Sequence, residues 1–530
     1  MACVIGVDFG TLSGRAVLVK AENGQIIAQR TADYPHGVDT SRGKGWALQD
    51  PMDYLRVLEQ TIPPLLEKAE GEEVAAIGWD VTSCTMLPAK ADGTPLCCLP
   101  GFEDHPHAKV KLWKHLAASP QARRIEEAAR GTGLLDRFGG KVSSQWMLPK
   151  VLQIIEEAPE VYEAADLFME AADWLTYVLT GHLSRNRCCA GFKAFWEEET
   201  GYPETFFAAL DPRLGDLSHK LRGTVLAPWE AAGGLTAEWA ERLGLRPGTA
   251  VSAGVIDAHA GLPGSGVAES GTLLMAMGTS TCHMLFDETL RTVPGICGAA
   301  KDSVLPGLWT YEAGQACVGD LLDWFVKNNV PVRETEEAAR EGCSIHDHLC
   351  RKAAALPPGS GGLLALDWWN GQRSPYVDDR LTGMMLGLTI RTTPAQQYRA
   401  LMEATAYGSR LIVETFEQGG IPIREVVACG GISQKNPLML QIYADVLGRP
   451  IAIAREDQTT ALGAAILAAA AAGLHETPAQ AVRAMTAPPE TVYLPDRERA
   501  ARYDALYGEY RRLAEHFAKC DLVMHRLQDA

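Results

Sequence analysis

The chain has 530 residues, of which 47% are apolar and 22% charged, a composition typical of globular proteins with more than one sizeable core. The formal net charge of −17 argues against nucleic acid and anionic membranes as partners, because an acidic surface repels phosphate. Thirteen cysteines without a C-x-x-C pair predict reduced thiols and a cytoplasmic location, and the start of the chain is typical of a strand rather than of a signal peptide.

The chain begins with two predicted strands joined by a turn of small residues. Apolar residues flank this turn on both sides, over residues 4–19. Such a turn can direct backbone N–H groups and hydroxyls at phosphate oxygens, and an acidic residue at the strand end could hold Mg²⁺ through water. An ordinary hairpin with a polar tip is the alternative. The candidate metal ligand is Asp8, and the candidate nucleotide-binding residues are Gly10, Thr11, Ser13 and Arg15.

The next predicted elements combine a strand with several helices. An apolar strand at residues 74–79 ends in a polar run that contains Ser83. Periodic apolar residues then predict four helices, and the last two of these should each end at a glycine. The helices are predicted at residues 110–131, 146–157, 170–179 and 236–243.

A second strand-turn-strand pattern lies far downstream, at residues 271–286. Its turn contains Gly278, Thr279 and Ser280, which resemble the small, hydroxyl-bearing residues of the first turn and offer the same chemistry to phosphate. This weak internal repeat predicts a duplicated domain. We therefore predict one domain over residues 1–250, a second domain over residues 251–490 and a helical extension over residues 491–530.

The second half of the chain is predicted to alternate strands and helices, which indicates α/β domains. Gly430 and Gly431 stand between a strand and a helical segment, where a ligand could approach the backbone closely. Asn436, at the start of the next helix, is a further candidate for nucleotide contact. A charged amphipathic helix at residues 497–527 is expected on the surface. The other elements are predicted at residues 394–418 (helix), 426–429 (strand), 436–447 (helix), 451–454 (strand) and from 459 onward (Ala-rich helix).

Several well-known nucleotide-binding and metal-binding patterns do not occur in the sequence. There is no G-x-x-x-x-G-K-[ST] motif, which excludes a P-loop, and no G-x-G-x-x-G motif, which argues against a dinucleotide-binding domain. The two close histidine pairs, His105 with His107 and His346 with His348, lack a nearby third ligand in the sequence. Surface histidines are therefore the preferred interpretation of both pairs.

The three small-residue turns, in the order hairpin, hairpin, Gly-Gly, resemble those of the actin, hexokinase and sugar kinase superfamily. Longer stretches resemble the FGGY carbohydrate kinases, and within that family the kinases that act on ribulose. The resemblance implies two α/β domains of the RNase-H-like type flanking a cleft, with sugar bound mainly by the first domain and nucleotide by the second. The stretches that carry it are residues 6–11, 80–88, 110–115, 139–146, 190–196, 257–260, 277–282, 311–315, 366–371 and 429–432.

The same resemblance implies roles for individual residues. ATP with Mg²⁺ would bind at the three turns, and Asp257 would take the proton of the terminal hydroxyl of ribulose, with L-ribulose favoured. Lys193, Glu312 and Ser83 would bind the sugar. Each residue also has an ordinary structural alternative: a helix N-cap for Asp257, an exposed lysine for Lys193, an ion pair for Glu312 and a strand-end loop for Ser83.

Two alternative functions stay open at this point. Xylulose, rhamnulose or glycerol could be the acceptor, or the chain could be a nucleotide-binding regulator without turnover. Gln145 and Leu116 depart from the residues expected in kinases of ribulose, where Glu and a second polar residue would stand, and could alter the preferred sugar. The oligomeric state is also open, with a homodimer among the alternatives.

Overall fold

The computed structural model describes residues 2–69 and 71–529. In the first half of the chain, the strands are β1 (Ala2–Phe9), β2 (Ser13–Lys20), β3 (Ile26–Asp33), β4 (Leu48–Gln49), β5 (Glu73–Val81), β6 (Met86–Ala89), β7 (Val110–Lys111), β8 (Leu167–Glu170), β9 (Ser184–Asn186), β10 (Thr224–Leu226), β11 (Ala231–Gly234), β12 (Ala250–Ser252) and β13 (Val255–Ile256). The helices are α1 (Pro51–Leu66), α2 (Ser119–Ala129), α3 (Met147–Glu157), α4 (Pro159–Ala164), α5 (Ala171–Thr180), α6 (Arg187–Lys193), α7 (Glu204–Leu210), α8 (Leu217–Lys220), α9 (Ala237–Leu243) and α10 (Asp257–Gly264).

The second half follows the same mixed pattern. Its strands are β14 (Thr272–Met277), β15 (Thr281–Asp287), β16 (Gly298–Lys301), β17 (Trp309–Gln315), β18 (Leu364–Leu366), β19 (Met384–Leu386), β20 (Glu425–Cys429), β21 (Ile451–Ile453) and β22 (Val492–Tyr493). Its helices are α11 (Gly319–Asn329), α12 (Val332–Arg340), α13 (Ile345–Ala354), α14 (Pro394–Gln418), α15 (Gly431–Lys435), α16 (Pro437–Leu447), α17 (Thr459–Ala471), α18 (Pro478–Met485), α19 (Arg497–Glu515) and α20 (Val523–Asp529). In the described part of the chain, no helix is both long and apolar enough to cross a membrane.

Two seven-stranded mixed sheets form the centres of the two domains. The first has the order β11-β12-β5-β1-β2-β3, with β13 also on β5, and the second has the order β16-β17-β15-β14-β20-β21-β22. In the first sheet β1 pairs antiparallel with β2 and parallel with β5. In the second, β14 pairs in the same way with β15 and β20. The repeat seen in the two hairpins therefore extends to the sheets, while the exact domain boundaries stay predictions.

Helix α17 joins the two domains, although in sequence it lies between β21 and β22 of the second sheet. It is apolar on all sides, as expected of a helix that is buried all round. Its backbone lies against β1, because a Cβ on Gly6 would be 1.9 Å from the carbonyl oxygen of Ala461. It lies equally close to α10, because a Cβ on Gly463 would be 1.8 Å from the carbonyl oxygen of Ala260. These contacts set the two sheets around one shared core.

Most predicted helix ends agree with the structure because local chemistry determines them. Helices α5 and α9 end at Gly181 and Gly244, both in the left-handed conformation. The long helix α14 begins after a capping box formed by Thr393 and Gln396.

Two helix predictions were wrong in part. Residues 110–131 are helical only from Ser119 to Ala129, because Val110 and Lys111 form the short strand β7 and Pro120 stands in the first turn of α2. The C-terminal helix breaks after Glu515 instead of continuing to residue 527. Its tyrosine face is buried against the second domain, as expected of an amphipathic helix packed on a surface.

The expectation of surface histidines was wrong for one residue of each pair. His107 is buried, with its Nε2 3.2 Å from a carboxylate oxygen of Glu157. His348 is 2% exposed and contacts Glu334 and Glu341 through its two ring nitrogens. The carboxylates of Glu157, Glu334 and Glu341 give these two buried rings polar partners, which makes their burial favourable.

Replacing Gly463 with Ala should lower the thermal midpoint of unfolding, because the new Cβ would overlap the backbone of α10. Gly508→Ala is the matched control. Gly508 lies inside α19 with open space around its Cβ position, so this variant should gain about 0.5–1 kcal/mol from lower chain entropy in the unfolded state. Thermal unfolding of both variants decides the point, and equal midpoints would contradict the close approach of the two helices.

Candidate active site

Each of the two predicted hairpin turns is closed by a hydrogen bond from the backbone N–H of its glycine, although the first turn spans four residues and the second spans three. In the first, the N–H of Gly10 donates to the carbonyl oxygen of Ser13 at 3.0 Å, and in the second the N–H of Gly278 donates to that of Ser280 at 2.9 Å. The tip of the first turn is held by Thr11, whose side-chain oxygen accepts from the indole N–H of Trp113 at 3.1 Å. Both turns therefore present small residues at the carboxyl ends of parallel strands, where α/β sheets bind their ligands.

The predicted Gly-Gly turn lies against the second hairpin. Gly430 has φ = 93°, and a Cβ there would be 2.6 Å from the carbonyl oxygen of Met277, so a residue with a side chain does not fit. Gly431 begins α15. Thr279 is linked to the same region, because its carbonyl oxygen accepts from the N–H of Val318 at 2.8 Å. The second hairpin and the Gly-Gly turn thus form one surface.

Two predicted nucleotide contacts are occupied by protein partners. The guanidinium of Arg15 donates to the side chain of Gln458, just before α17, and to Thr31 at 3.1 Å. Asn436 caps α16, where its side-chain oxygen accepts from the N–H of Met439 at 3.0 Å. Roles of Arg15 and Asn436 toward a nucleotide stay predictions.

Three carboxylates lie close together at the carboxyl ends of parallel strands in the first sheet. Asp8 on β1 stands directly opposite Asp80 on β5, and β13 pairs beside Asp80 before Asp257 begins α10. Asp80 is fully buried, and neither of its oxygens has a hydrogen-bond partner among the described residues. Burial, followed by the negative charge of Asp8, raises the pKa of Asp80 well above its usual range.

Asp80 is a residue that the sequence analysis did not select. Its position at the end of a buried strand, like that of Asp8, was the available signal. Because parallel strands end at the same edge of a sheet, two such acidic residues can face each other. What the sequence did not reveal was that β1 and β5 are neighbours in register.

Asp257 is half-buried at the first position of α10, where its Oδ1 accepts from the N–H of Ala258 at 2.7 Å. Burial raises its pKa to about 7, and the charges of Asp8 and Glu312 act in the same direction. Hydrogen bonds from the backbone of Ala258 and of Ser83 oppose this increase. The backbone of Ser83 therefore lies beside Asp257, while the role of Ser83 toward a sugar stays a prediction. Asp257 has the acidity of a group that can exchange protons near neutral pH.

Lys193 and Glu312 form a buried ion pair across the two domains. The Nζ of Lys193, at the end of α6, lies 2.8 Å from Oε2 of Glu312 on β17, and the two residues are 2% and 4% exposed. The alternative of an exposed lysine is therefore wrong. Burial alone would raise the pKa of Glu312, but Lys193, His259 and Arg373 together hold it well below its usual range. Both members of the pair are thus charged.

The structure brings the acceptor-side candidates together around Glu312. His259, two residues after Asp257, has its Nε2 3.5 Å from Oε2 of Glu312, and Arg373 contacts the other carboxylate oxygen. Neither His259 nor Arg373 was selected from the sequence. The two residues that depart from the pattern expected in kinases of ribulose lie elsewhere. Leu116 is 47% exposed on the surface, and Gln145 lies in the turn before α3.

Comparison with known proteins gives a consistent result over the whole chain. Residues 3–264 match the N-terminal domain of the FGGY family of carbohydrate kinases, and residues 273–472 match its C-terminal domain. The chain is 48% identical to a ribulokinase of Geobacillus thermodenitrificans, over 99% of this chain and 96% of the relative. It is 49% identical to a ribulokinase of Bacillus licheniformis, over 98% and 97% of the two chains.

A solved structure with low sequence identity shares the fold. The xylulose kinase of Rhodospirillum rubrum superimposes with a TM-score of 0.83 at 23% identity, over 99% of this chain and all of that one. The predicted architecture of two α/β domains of the sugar kinase type is confirmed.

Replacing Asp80 with Asn should raise the thermal midpoint of the ligand-free protein at about pH 8. The raised pKa means that the folded state binds the proton of Asp80 more tightly than the unfolded chain does. Stability is therefore lost as the pH rises above the unfolded value of about 3.9, and an uncharged Asn avoids this loss. The gain should shrink toward about pH 4, where Asp80 is protonated in both states.

Asp33→Asn provides the control, because Asp33 is exposed on β3. Its midpoint should follow that of the unchanged protein at both pH values. An Asp80→Asn variant that is no more stable than the unchanged protein at the higher pH would show that the carboxylate of Asp80 is not a buried, unpaired charge.

Proposed function

Because the chain belongs to the FGGY family of carbohydrate kinases, we propose that it transfers the γ-phosphoryl group of ATP to the terminal hydroxyl of ribulose, giving ribulose 5-phosphate. The full-length similarity to ribulokinases supports ribulose as the acceptor. L-Ribulose is the enantiomer that we favour, and the cytoplasm, where thiols stay reduced, is the proposed location. The observation that carries the proposal is Asp257, a proton acceptor with a pKa of about 7 between the carboxylates of the first sheet and the Lys193–Glu312 pair.

The donor side of the proposed site consists of the three small-residue turns. Backbone N–H groups and hydroxyls of the two hairpins would hold the phosphates from opposite domains, and the surface at Gly430 and Gly431 would take the adenosine. Asp8 and Asp80 supply carboxylate oxygens, the ligand type that Mg²⁺ prefers, and the unpartnered oxygens of Asp80 fit a cation nearby. We therefore assign Mg²⁺ to Asp8, with Asp80 beside it. When bound, the ion neutralises charge on the phosphates.

The acceptor side of the site orients the sugar and removes one proton. The ammonium of Lys193 can donate to sugar oxygens, and the carboxylate of Glu312 can accept from sugar hydroxyls. Asp257 takes the proton of the terminal hydroxyl as its oxygen forms a bond to the γ-phosphorus. The bond from the γ-phosphorus to the bridging oxygen breaks at the same stage, and ADP leaves with that oxygen. A base with a pKa near 7 is well matched to this transfer at neutral pH.

Replacing Asp257 with Asn should lower kcat for ribulose by about 100-fold or more, because the amide cannot take a proton. Binding of ribulose and ATP should persist, since the substitution keeps the size and shape of the side chain. Ribulose-stimulated release of ADP measures the first effect, and calorimetric titration measures the second. Asp33→Asn, on the exposed face of β3, is the matched control and should keep full activity. A near-normal kcat for the Asp257 variant would remove this residue from the role of base.

The proposed base also predicts how activity depends on pH. Asp257 can accept a proton only when it is ionised, so kcat/KM for ribulose should rise as the pH increases through about 7 and then become constant. The quantity kcat/KM reports the ionisation of the free enzyme, which is the state described here. A profile that is flat from about pH 5 to about pH 9 would contradict the assignment.

A further inference from the structure

Arg373 lies between the second hairpin and the acceptor side of the site. Its Nη2 contacts Oε1 of Glu312, while Lys193 holds the other oxygen of the same carboxylate. Its Nη1 lies 3.7 Å from the Sγ of Cys282, which stands two residues beyond Ser280 in the hairpin. The guanidinium thus spans the gap between the hairpin that faces the phosphates and the carboxylate that faces the sugar.

The segment around Arg373 is fixed against β17. A Cβ on Gly314 would be 2.9 Å from Nη1 of Arg373, so the guanidinium lies directly on the backbone of this strand. The N–H of Gly314 donates to the side-chain oxygen of Ser374 at 3.3 Å. Gln372 closes the segment by accepting from the N–H of Tyr376 at 2.8 Å. Arg373 is therefore presented to the site by a pinned segment rather than by a free loop.

The guanidinium retains donors that the described protein partners do not use. An arginine carries five N–H donors, whereas the described side chains in contact with this guanidinium are three, namely Glu312, Cys282 and Cys297. The side chain of Arg373 is 31% exposed, whereas that of Glu312 is 5% exposed. The remaining donors therefore have access to the space in front of Glu312.

Glu312 and its two cationic partners together carry one positive charge in excess. Lys193 alone neutralises Glu312, so Arg373 adds a positive charge that a neutral sugar does not need. Once Asp257 has accepted a proton, Lys193, Arg373, Glu312 and Asp257 together carry a net positive charge. This excess appears at the stage when a negatively charged phosphoryl group reaches the acceptor.

We propose that Arg373 contacts the transferred phosphoryl group and stabilises its negative charge, while it also fixes Glu312. This inference rests on the proposed function. The acceptor oxygen forms its bond to phosphorus, the bond from phosphorus to the bridging oxygen of ADP breaks, and Asp257 keeps the proton. Arg373 therefore forms no covalent bond and transfers no proton. A planar guanidinium suits this role, because it can bind two phosphoryl oxygens at once. Arg373 is thus a catalytic residue that neither hairpin motif includes.

The test compares Arg373→Gln and Arg373→Lys with Arg391→Gln, an exposed control in the same domain. In the Gln variant kcat should fall by about 100- to 1000-fold, and in the Lys variant by about 10-fold, because Lys keeps the charge but not the paired donors. Calorimetric titration with ribulose and with ribulose 5-phosphate supplies the decisive readout. The Gln variant should lose about 10-fold more affinity for the phosphorylated sugar than for the sugar itself.

Equal losses of affinity for ribulose and ribulose 5-phosphate would overturn the inference, because Arg373 would then act only through Glu312. An unchanged kcat in both variants would overturn it as well. If the Gln variant does not fold, the losses of affinity for ribulose and ribulose 5-phosphate are compared in the Lys variant instead. If the protein without substitutions phosphorylates another acceptor but not ribulose, the proposed function is contradicted and the inference on Arg373 is not. The same titrations with that acceptor and its phosphate would then decide the role of Arg373.

Discussion

The close contact between α10 and α17 is the constraint on which the whole arrangement depends. The two helices approach so closely that glycine is required on both, at Gly264 and at Gly463. Helix α17 also lies on β1 at Gly6, so it links α10 to a central strand of the first sheet. Asp257 begins α10, and Asp8 is the residue before the last one of β1. The contact therefore brings these two carboxylates, which come from distant parts of the chain, to one point between the domains.

The distribution of charge around Asp8 and Asp257 differs between the donor side and the acceptor side of the proposed site. On the donor side the carboxyl groups of Asp8 and Asp80 lie opposite each other, and burial together with the charge of Asp8 raises the pKa of both Asp80 and Asp257. On the acceptor side the charge of Glu312 is offset by cationic side chains that include Lys193. The site thus sacrifices folded-state stability at the carboxyl groups that we propose as metal ligands and as the base, as functional sites commonly do.

Local features of the fold could be predicted from the sequence, whereas partners across the fold could not. Helix ends at Gly181 and the small-residue turn at Gly278 depend on a few adjacent residues, and they agree with the structure. The partner of Lys193 is Glu312, which lies 119 residues away in sequence. Pairing of that kind, like the register that sets Asp80 opposite its neighbour on β1, follows from topology. The resemblance to a family supplied the roles of these residues, but their contacts required the structure.

The most direct test of phosphoryl transfer to the terminal hydroxyl of ribulose is to identify the acceptor and to locate the new phosphate on the product. ATP would be supplied with each enantiomer of ribulose, labelled isotopically at the terminal carbon, and in parallel with xylulose, rhamnulose and glycerol. We expect L-ribulose to give the fastest release of ADP, and we expect nuclear magnetic resonance to show phosphorus coupled to the terminal carbon of the product. A strong preference for glycerol or xylulose, phosphate at another carbon, or ADP release that no sugar stimulates would contradict this expectation.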